Sequence, residues 1–309
     1  MQYKLYLLLE ILFFLLYDID EVRQMRERSQ RFDPRQVMQS DTFEVFHYRD
    51  PRPGFVEVHH HDFYEVYFLL GGKVSYWVEG RIIHMAPGDL LFINPMELHR
   101  PMPDPEEPVC ERFVLWVNRD YLEQLSTDQL SLSSCFDTTR PDHSHLIRPT
   151  GGERAVLTAR LGELVREYYS KDMGSELCAR GAFLQLIVQL NRLAHRAKCA
   201  REGEQLSDLV HGAMQYISEH ISSPLSLEEI AGQLFVSKYH LSHAFSAEVG
   251  VSVYRYILLR RLLMARQLLT AGETAGQVCR SCGFSDYTSF YRAFKSEYGI
   301  SPREFLANT

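Results

Sequence analysis

The rhythm of apolar and polar positions changes along the 309 residues, and each change predicts a different kind of element. From Thr42 to about Trp116, short runs rich in Val, Ile, Phe and Tyr alternate with turn residues, the spacing of an all-β barrel or sandwich. Strands are expected over 54–61, 64–70, 73–79, 81–85, 90–93 and 110–117, with turns at Gly71-Gly72, Glu79-Gly80 and Pro87-Gly88-Asp89. Pro95, Pro101, Pro103, Pro105 and Pro108 predict a loop, because proline lacks the N–H that a central ladder needs. Past Gly151-Gly152 the period becomes helical. Val156, Ala159, Leu161, Leu164, Val165 and Tyr168 share one face, and Phe183, Leu184, Ile187, Val188 and Leu190 mark a second helix over 178–197.

Residues 198–205 are polar and aperiodic and predict a linker; everything from Leu206 onward reads as helix. Leu209, Val210, Ala213, Met214, Ile217 and Ile221 form one apolar face. Ser226 with Glu229, and Thr274 with Gln277, have capping-box spacing. Ser301 with Glu304 repeats it, and Pro302 takes the first helical position, where its missing N–H does no harm.

The N-terminal segment stands apart. Residues 5–17 are apolar except for Glu10, a run of 13, short of the ~20 that a membrane-spanning helix needs. No small-residue cleavage site follows at Tyr17-Asp18-Ile19-Asp20, and 21–35 is highly charged. Three readings stay open: a translation start placed too early, with Met25 and Met38 as later starts; a docking or amphipathic helix; and a membrane anchor. The expected organisation is an extension at 1–37, a β domain at 38–150, a helical segment at 151–197, a linker at 198–205 and an all-α domain at 206–309.

Composition narrows the function. Lys plus Arg total 33 against 40 Asp plus Glu, a formal charge of −7, which excludes a basic coat for non-specific nucleic-acid binding. Six cysteines without framework spacing exclude a disulfide-stapled secreted domain and suit a reducing, cytoplasmic compartment. Residues 206–309 carry nine basic and nine acidic side chains, so all the net acidity lies outside the helical domain. No phosphate-binding glycine loop and no Gly-x-Ser-x-Gly elbow occurs.

That domain contains a repeat. Residues 244–252, AFSAEVGVS, match 293–301, AFKSEYGIS, at an offset of 49: Ala, Phe, Glu, Gly and Ser are identical, and Val251 is answered by Ile300. Upstream, Leu234-Phe235-Val236-Ser237 is answered by Cys282-Gly283-Phe284-Ser285. Each unit has a short capped helix, a turn, a serine that can cap and a second helix, the sequence shape of a helix-turn-helix. Lys238, Tyr239, Ser242 and His243 project from the first of these second helices, and Tyr287, Thr288, Ser289, Arg292 and Lys295 from the other. Such side chains near a helix N-terminal half suit base and phosphate contacts. Between the units, 249–272 holds Arg255, Arg260, Arg261 and Arg266 and no carboxylate, which predicts a phosphate-facing helix.

Residues 206–309 resemble the DNA-binding domain of AraC/XylS-type bacterial transcription regulators. The resemblance rests on Cys282-Gly283-Phe284-Ser285-Asp286, Phe290-Tyr291-Arg292-Ala293-Phe294-Lys295 and Gly299-Ile300-Ser301-Pro302. It implies two helix-turn-helix units joined by a long helix, with recognition helices entering successive major grooves on one DNA face. It also implies base-edge contacts from Tyr239, Ser242 and His243, and from Tyr287, Thr288, Ser289 and Arg292. Many members carry Arg where His243 stands, so the first unit is expected to grip phosphate less tightly.

In the β region, His59-x-His61-x3-Glu65-x6-Gly72 is spaced like the first cupin motif, and Gly80…Pro87-Gly88-Asp89…Asn94-Pro95…His99 resembles the second. Strand alternation puts His59 and His61 on one face. Three histidines and one glutamate suit Fe, Mn, Ni or Zn in a cupin enzyme; the same groups can hold a small organic ligand or satisfy one another. The family resemblance implies a cupin-like effector domain, commonly sugar-sensing and without a catalytic metal, and helices that dimerise. His59, His61, Glu65 and His99 are therefore effector-pocket candidates, with metal binding the minor reading and no cofactor expected. Tyr76 and Trp77 fall on opposite faces of one strand, and Cys279-x-x-Cys282 is read as core packing.

The expected molecule is a two-domain α+β protein. It has an N-terminal cupin-like β-barrel (a double-stranded β-helix) with a helical dimerisation segment, and a C-terminal all-α double helix-turn-helix domain. Its expected role is a cytoplasmic, dimeric, sequence-specific regulator of operator or promoter double-stranded DNA, answering to a small molecule such as a sugar, with RNA polymerase a further partner. The rival reading is a cupin metalloenzyme with an appended helical domain.

Overall fold

The computed structural model describes residues 36–51, 56–140, 143–196 and 204–308. The three readings of the N-terminal extension lie outside the described residues, as does most of the linker expected at 198–205, whose last two residues form a short strand instead.

The N-terminal half is strand-rich, with β1 (Phe43–Asp50), β2 (Tyr64–Gly71), β3 (Val74–Val78), β4 (Arg81–Met85), β5 (Leu90–Ile93), β6 (His99–Pro103), β7 (Cys110–Val117), β8 (Leu146–Ile147) and β9 (Glu204–Gln205). The pairing is antiparallel in two sheets, β1-β7-β2-β5-β8 and β6-β3-β4-β9. Among the described residues the two sheets do not join into one closed sheet. Alternation assigns each strand two jobs. Tyr67 and Leu69 of β2, with Val74, Tyr76 and Val78 of β3, fill the space between the sheets. Val66 and Phe68 of β2, on the opposite face, join Phe43, Phe92 and Phe113 in a second core.

Helix α1 (Arg119–Leu125) follows β7; α2 (Gly151–Tyr169) and α3 (Ser175–Arg196) cover that second core. Leu157, Leu161, Leu164 and Val165 of α2 and Phe183, Leu186, Ile187 and Leu190 of α3 are buried there, and Phe183 stacks on Phe43 at 4.4 Å. The five-stranded sheet thus has two apolar faces, and the helices bury their main faces on its outer one.

Two further sequence expectations change. The strand expected over 54–61 is, within its described part, a single bridge between His59 and His99. Pro101 and Pro103, expected in a loop, lie in β6. That strand is the edge of its sheet, where a missing N–H breaks no ladder.

The C-terminal part is helical: α4 (Asp208–Glu219), α5 (Leu227–Gln233), α6 (Lys238–Val249), α7 (Val253–Thr270), α8 (Ala275–Ser281), α9 (Tyr287–Tyr298) and α10 (Pro302–Asn308). Ser226 caps α5 as expected, but Glu229 accepts from the Tyr216 hydroxyl. Thr274 and Gln277 form a full capping box on α8, and Ser301 and Glu304 bond reciprocally at α10. Cys279 and Cys282 are buried beside Phe290 and Phe294, and burial pushes the Cys282 thiol up to about 12.

Phe183 is the largest joint between α3 and the sheet. We expect Phe183→Ala to lower the free energy of unfolding by about 3–5 kcal/mol in urea titrations; a loss below ~1 kcal/mol would show that the helix is not part of the sheet's core.

Candidate functional site

Two surfaces carry chemistry: the second helices of the repeat, and a buried histidine cluster in the strand-rich domain. In the first repeat, α5 ends at Leu234, Phe235 takes a left-handed φ of +57°, and Ser237 caps α6. In the second, α8 ends at Cys282, Gly283 takes φ +71°, and Asp286 caps α9. The turns leave the first helices in register at an offset of 48, but the second helices resume at 49. The extra residue makes Asp286, rather than Ser285, the cap of α9. Both second helices close on a left-handed glycine, Gly250 at φ +86° and Gly299 at +77°.

The inward faces of α6 and α9 are Leu241, Phe245 and Val249, and Phe290 and Phe294. Tyr239, 78% exposed, and His243 face outward on α6; Ser242 is half-buried, and Lys238 is paired with Glu228 at 2.6 Å. On α9, Tyr287, Thr288, Ser289, Arg292 and Lys295 are all exposed, and the Ser289 hydroxyl donates to Asp286 at 2.8 Å. Apart from Lys295, in the last turn of α9, each set lies in the N-terminal half of its helix, toward the end where peptide N–H groups and the dipole favour phosphate. Sequence reasoning passed over His240, also exposed on α6, and two exposed aromatics nearby, Phe235 and Tyr254.

The arginines of α7 do not form the phosphate face expected of them. Arg260 pairs with Glu79 at 2.8 Å and Arg266 with Asp62 at 2.7 Å, both in the strand-rich domain. Arg255 meets Glu297 at 3.0 Å, and Arg261 donates to the carbonyls of Ile221 and Ser223. All four are spent inside the protein. Burial raises the Glu79 carboxyl's pKa despite its arginine.

The histidine cluster is fully enclosed. His59, His61, Glu65 and His99, the four expected residues, are brought together at one end of the space between the sheets. The His59 and His99 rings are 4.3 Å apart and the His61 and His99 rings 4.8 Å. Glu65 Oε2 accepts from Trp116 Nε1 at 2.9 Å and lies 3.4 Å from His61 Nε2. Nδ1 of His59, His61 and His99 lies 2.8–2.9 Å from the carbonyl oxygens of Glu57, Phe63 and Glu97, respectively. A carbonyl only accepts, so each Nδ1 holds the proton, and in a neutral ring such as His59 or His99 Nε2 then presents a lone pair. Burial lowers His59 to about 4 and holds His99 well below the usual imidazole range, so both rings stay neutral at pH 7.

The same segments also face the helical domain. His60, between two cluster residues, points the other way, 3.6 Å from Glu297 and beside Tyr298 of α9. Arg100, next to His99, donates to the Glu248 carbonyl near the end of α6 and packs on Gly250 so closely that any Cβ there would collide with it. Trp77, Val58 and Leu98 are buried with Val210, Ile217, Phe245 and Leu259 of the helical domain. Trp77 is therefore an aromatic of the seam between domains.

A family model described as an AraC-like ligand binding domain matches residues 42–235, and one described as a helix-turn-helix domain matches 230–308. The chain belongs to the AraC family. It is a DNA-binding transcriptional regulator with a ligand-binding domain for a small-molecule effector, and members of this family are not enzymes, which sets aside the metalloenzyme reading. Similar relatives include the HTH-type transcriptional activator RhaS of Enterobacter sp. (strain 638), 26% identical over 257 residues, covering 83% of this chain and 89% of that protein. RhaS of Escherichia coli (strain K12 / DH10B) is 24% identical over the same shares. Among solved structures, the C-terminal domain of AraT from Geobacillus stearothermophilus is 30% identical, covering 34% of this chain and 89% of that one, at a TM-score of 0.33. Fatty-acid-bound ToxT from Vibrio cholerae strain SCE256 is 15% identical, covering 88% and 97%, at 0.35. Among the described residues no helix is long and apolar enough to cross a membrane.

Glu79→Ala strands Arg260 in a half-buried seam. We expect a stability loss of about 1–3 kcal/mol, below the ~3–5 of a fully buried pair, with much of it recovered in the Glu79→Ala, Arg260→Met double variant. Equal loss in the single and double variants would deny the pair any coupling.

Proposed function

We propose that the regulator reads its operator with the exposed N-terminal halves of α6 and α9. Tyr239, Ser242 and His243 would meet base edges in one half of the site, and Tyr287, Thr288, Ser289 and Arg292 in the other, with Lys238 and Lys295 on phosphates. The observation that carries this is the repeat itself: two helices related by 49 residues, each with its apolar side buried and its polar and aromatic side open. With the α7 arginines engaged internally, these two faces hold most of the means of recognition.

The effector site is His59, His61, Glu65 and His99, in a sensor whose two facing sheets support a cupin-like double-stranded β-helix. A drug-sized ligand needs ~300–1,000 Å³, whereas Tyr67, Leu69, Tyr76, Leu91 and Val114 fill the space between the sheets. That filling favours a small occupant at the histidine end over a sugar. The relatives named as transcriptional activators support activation, with RNA polymerase as a protein partner, in the cytoplasm. The domain boundaries proposed are 38–150 for the sensor strands, 151–197 for its helices and 206–309 for DNA binding. Val156 of α2 and Leu177 and Leu184 of α3 remain exposed and support a homodimer through these helices.

Operators selected from random DNA test the reading. Arg292→Ala should weaken binding by about 1–3 kcal/mol and relax base preference in its half-site, whereas Lys295→Ala should weaken binding across sequences and reduce the slope of log affinity against log salt by about one. Tyr287 or Thr288 substitutions should relax base preference in one half-site by about 1–3 kcal/mol per base pair; wild-type preference in these variants would remove α9 from recognition. Leu184→Glu should shift sedimentation toward monomer, and a wild type that is monomeric at micromolar concentration would refute the dimer.

A further inference from the structure

The histidine cluster has an unmet chemical requirement. Nε2 of His99 is buried and accepts no hydrogen bond, and Nε2 of His61 has only the Glu65 carboxylate beside it, at 3.4 Å. An orphaned buried acceptor such as His99 Nε2 costs about 1–3 kcal/mol, which a purely structural role does not offset. One ligand atom from each of His61, Glu65 and His99 lies within 4.8 Å of the other two, and the His59 ring flanks His99. The surroundings are those of metal-binding imidazoles: each Nδ1–H is tied to a backbone carbonyl, and the carboxylate is held by Trp116. Imidazole nitrogens with one carboxylate suit Zn²⁺, Ni²⁺, Co²⁺, Mn²⁺ or Fe²⁺, and exclude neither water nor a small anion as a further ligand.

The ligands lie on two segments that also grip the recognition helices. His59 and His99 exchange backbone hydrogen bonds of 3.1 and 3.0 Å, so the two segments move as one. On their outer side His60 faces Glu297 of α9, Asp62 holds Arg266 of α7, and Arg100 holds the end of α6. We propose that a divalent transition-metal ion bound by His61, Glu65 and His99, with His59 alongside, is an effector of this regulator, and that His60, Asp62 and Arg100 pass its presence to both recognition helices. This rests on the reading of the cluster as the effector site and names its ligand class. Drawing two Nε2 atoms and a carboxylate toward one ion shifts the segments that carry the outer contacts, and the helix ends follow.

The test uses full-length protein stripped with chelator and titrated with Co²⁺, Ni²⁺, Zn²⁺ and Mn²⁺. At least one ion should bind at one equivalent per chain, Co²⁺ giving visible ligand-field bands. His61→Ala and Glu65→Gln should each weaken binding by at least ~10-fold. Glu65→Gln keeps the side-chain volume, so it serves if His61→Ala does not fold. Loading the ion should change affinity for the selected operator by ~5-fold or more. Asp62→Asn and Arg100→Met should keep the Co²⁺ spectrum while shrinking that change. Absence of stoichiometric binding, or binding indifferent to Glu65→Gln, overturns the metal while operator binding and an organic effector at the cluster stand. Tight binding with unchanged operator affinity overturns the effector role, as does a full response retained in the Asp62 and Arg100 variants.

Discussion

Trp77 belongs by chain to the sensor and by packing to the first helix-turn-helix unit. With Val58 and Leu98 it is buried among Val210, Ile217, Phe245 and Leu259, so the two domains share one apolar core. Each such side chain is worth ~1.5–3 kcal/mol when removed from water. The half-exposed ion pairs around it, Glu79 with Arg260 and Asp62 with Arg266, contribute ~1 kcal/mol or less apiece. The seam is therefore held by hydrophobic burial and oriented by charge. Parting the domains would expose an indole and two aliphatic side chains, and the geometry of α6 and α9 relative to the sensor follows from that constraint.

Legibility in the sequence tracked the range of the interaction. Strands β2, β4, β5 and β7, the helix starts at Ser226, Thr274 and Ser301 and the repeat all depend on neighbours within a few residues, and all are readable from local pattern. The four cluster residues were nameable because alternation places His59 and His61 together and the second motif supplies His99. Arginine partners were not readable. Arg260 finds its acid 181 residues away and Arg266 finds its own 204 away, so an acid-free helix looked like a phosphate face when its counter-charges came from another domain. The proline strand failed for a related reason: whether a proline run sits in a loop or an edge depends on which strand ends the sheet. The cap of α9 slipped by one because Ser285 and Asp286 can both cap, and only the length of the turn decides.

Charge also reads differently with the fold in hand. The helical domain is neutral overall, and four of its nine basic residues are engaged within the protein. Lys238 is partly neutralised by Glu228. Few cations remain to hold DNA non-specifically, so in the proposed mode of binding discrimination between sites falls on polar and aromatic contacts to bases. Such a protein should discriminate well and scan poorly, since sliding along DNA depends on sequence-independent phosphate attraction.

The repeat has one more effect, at the C-terminal ends of α6 and α9. Glu248 and Glu297 occupy the same place in the two units, and the sensor touches both, Arg100 at the first and His60 at the second. Duplication thus gave a single sensor edge a matched pair of levers. Pulling on both together would carry the helices as a block, whereas pulling on one alone would alter their spacing. In the proposed docking, two helices in successive grooves must match the ~34 Å pitch of the duplex. A mismatch of that kind would leave each half-site intact yet forbid both from being read at once, a control over register rather than over grip.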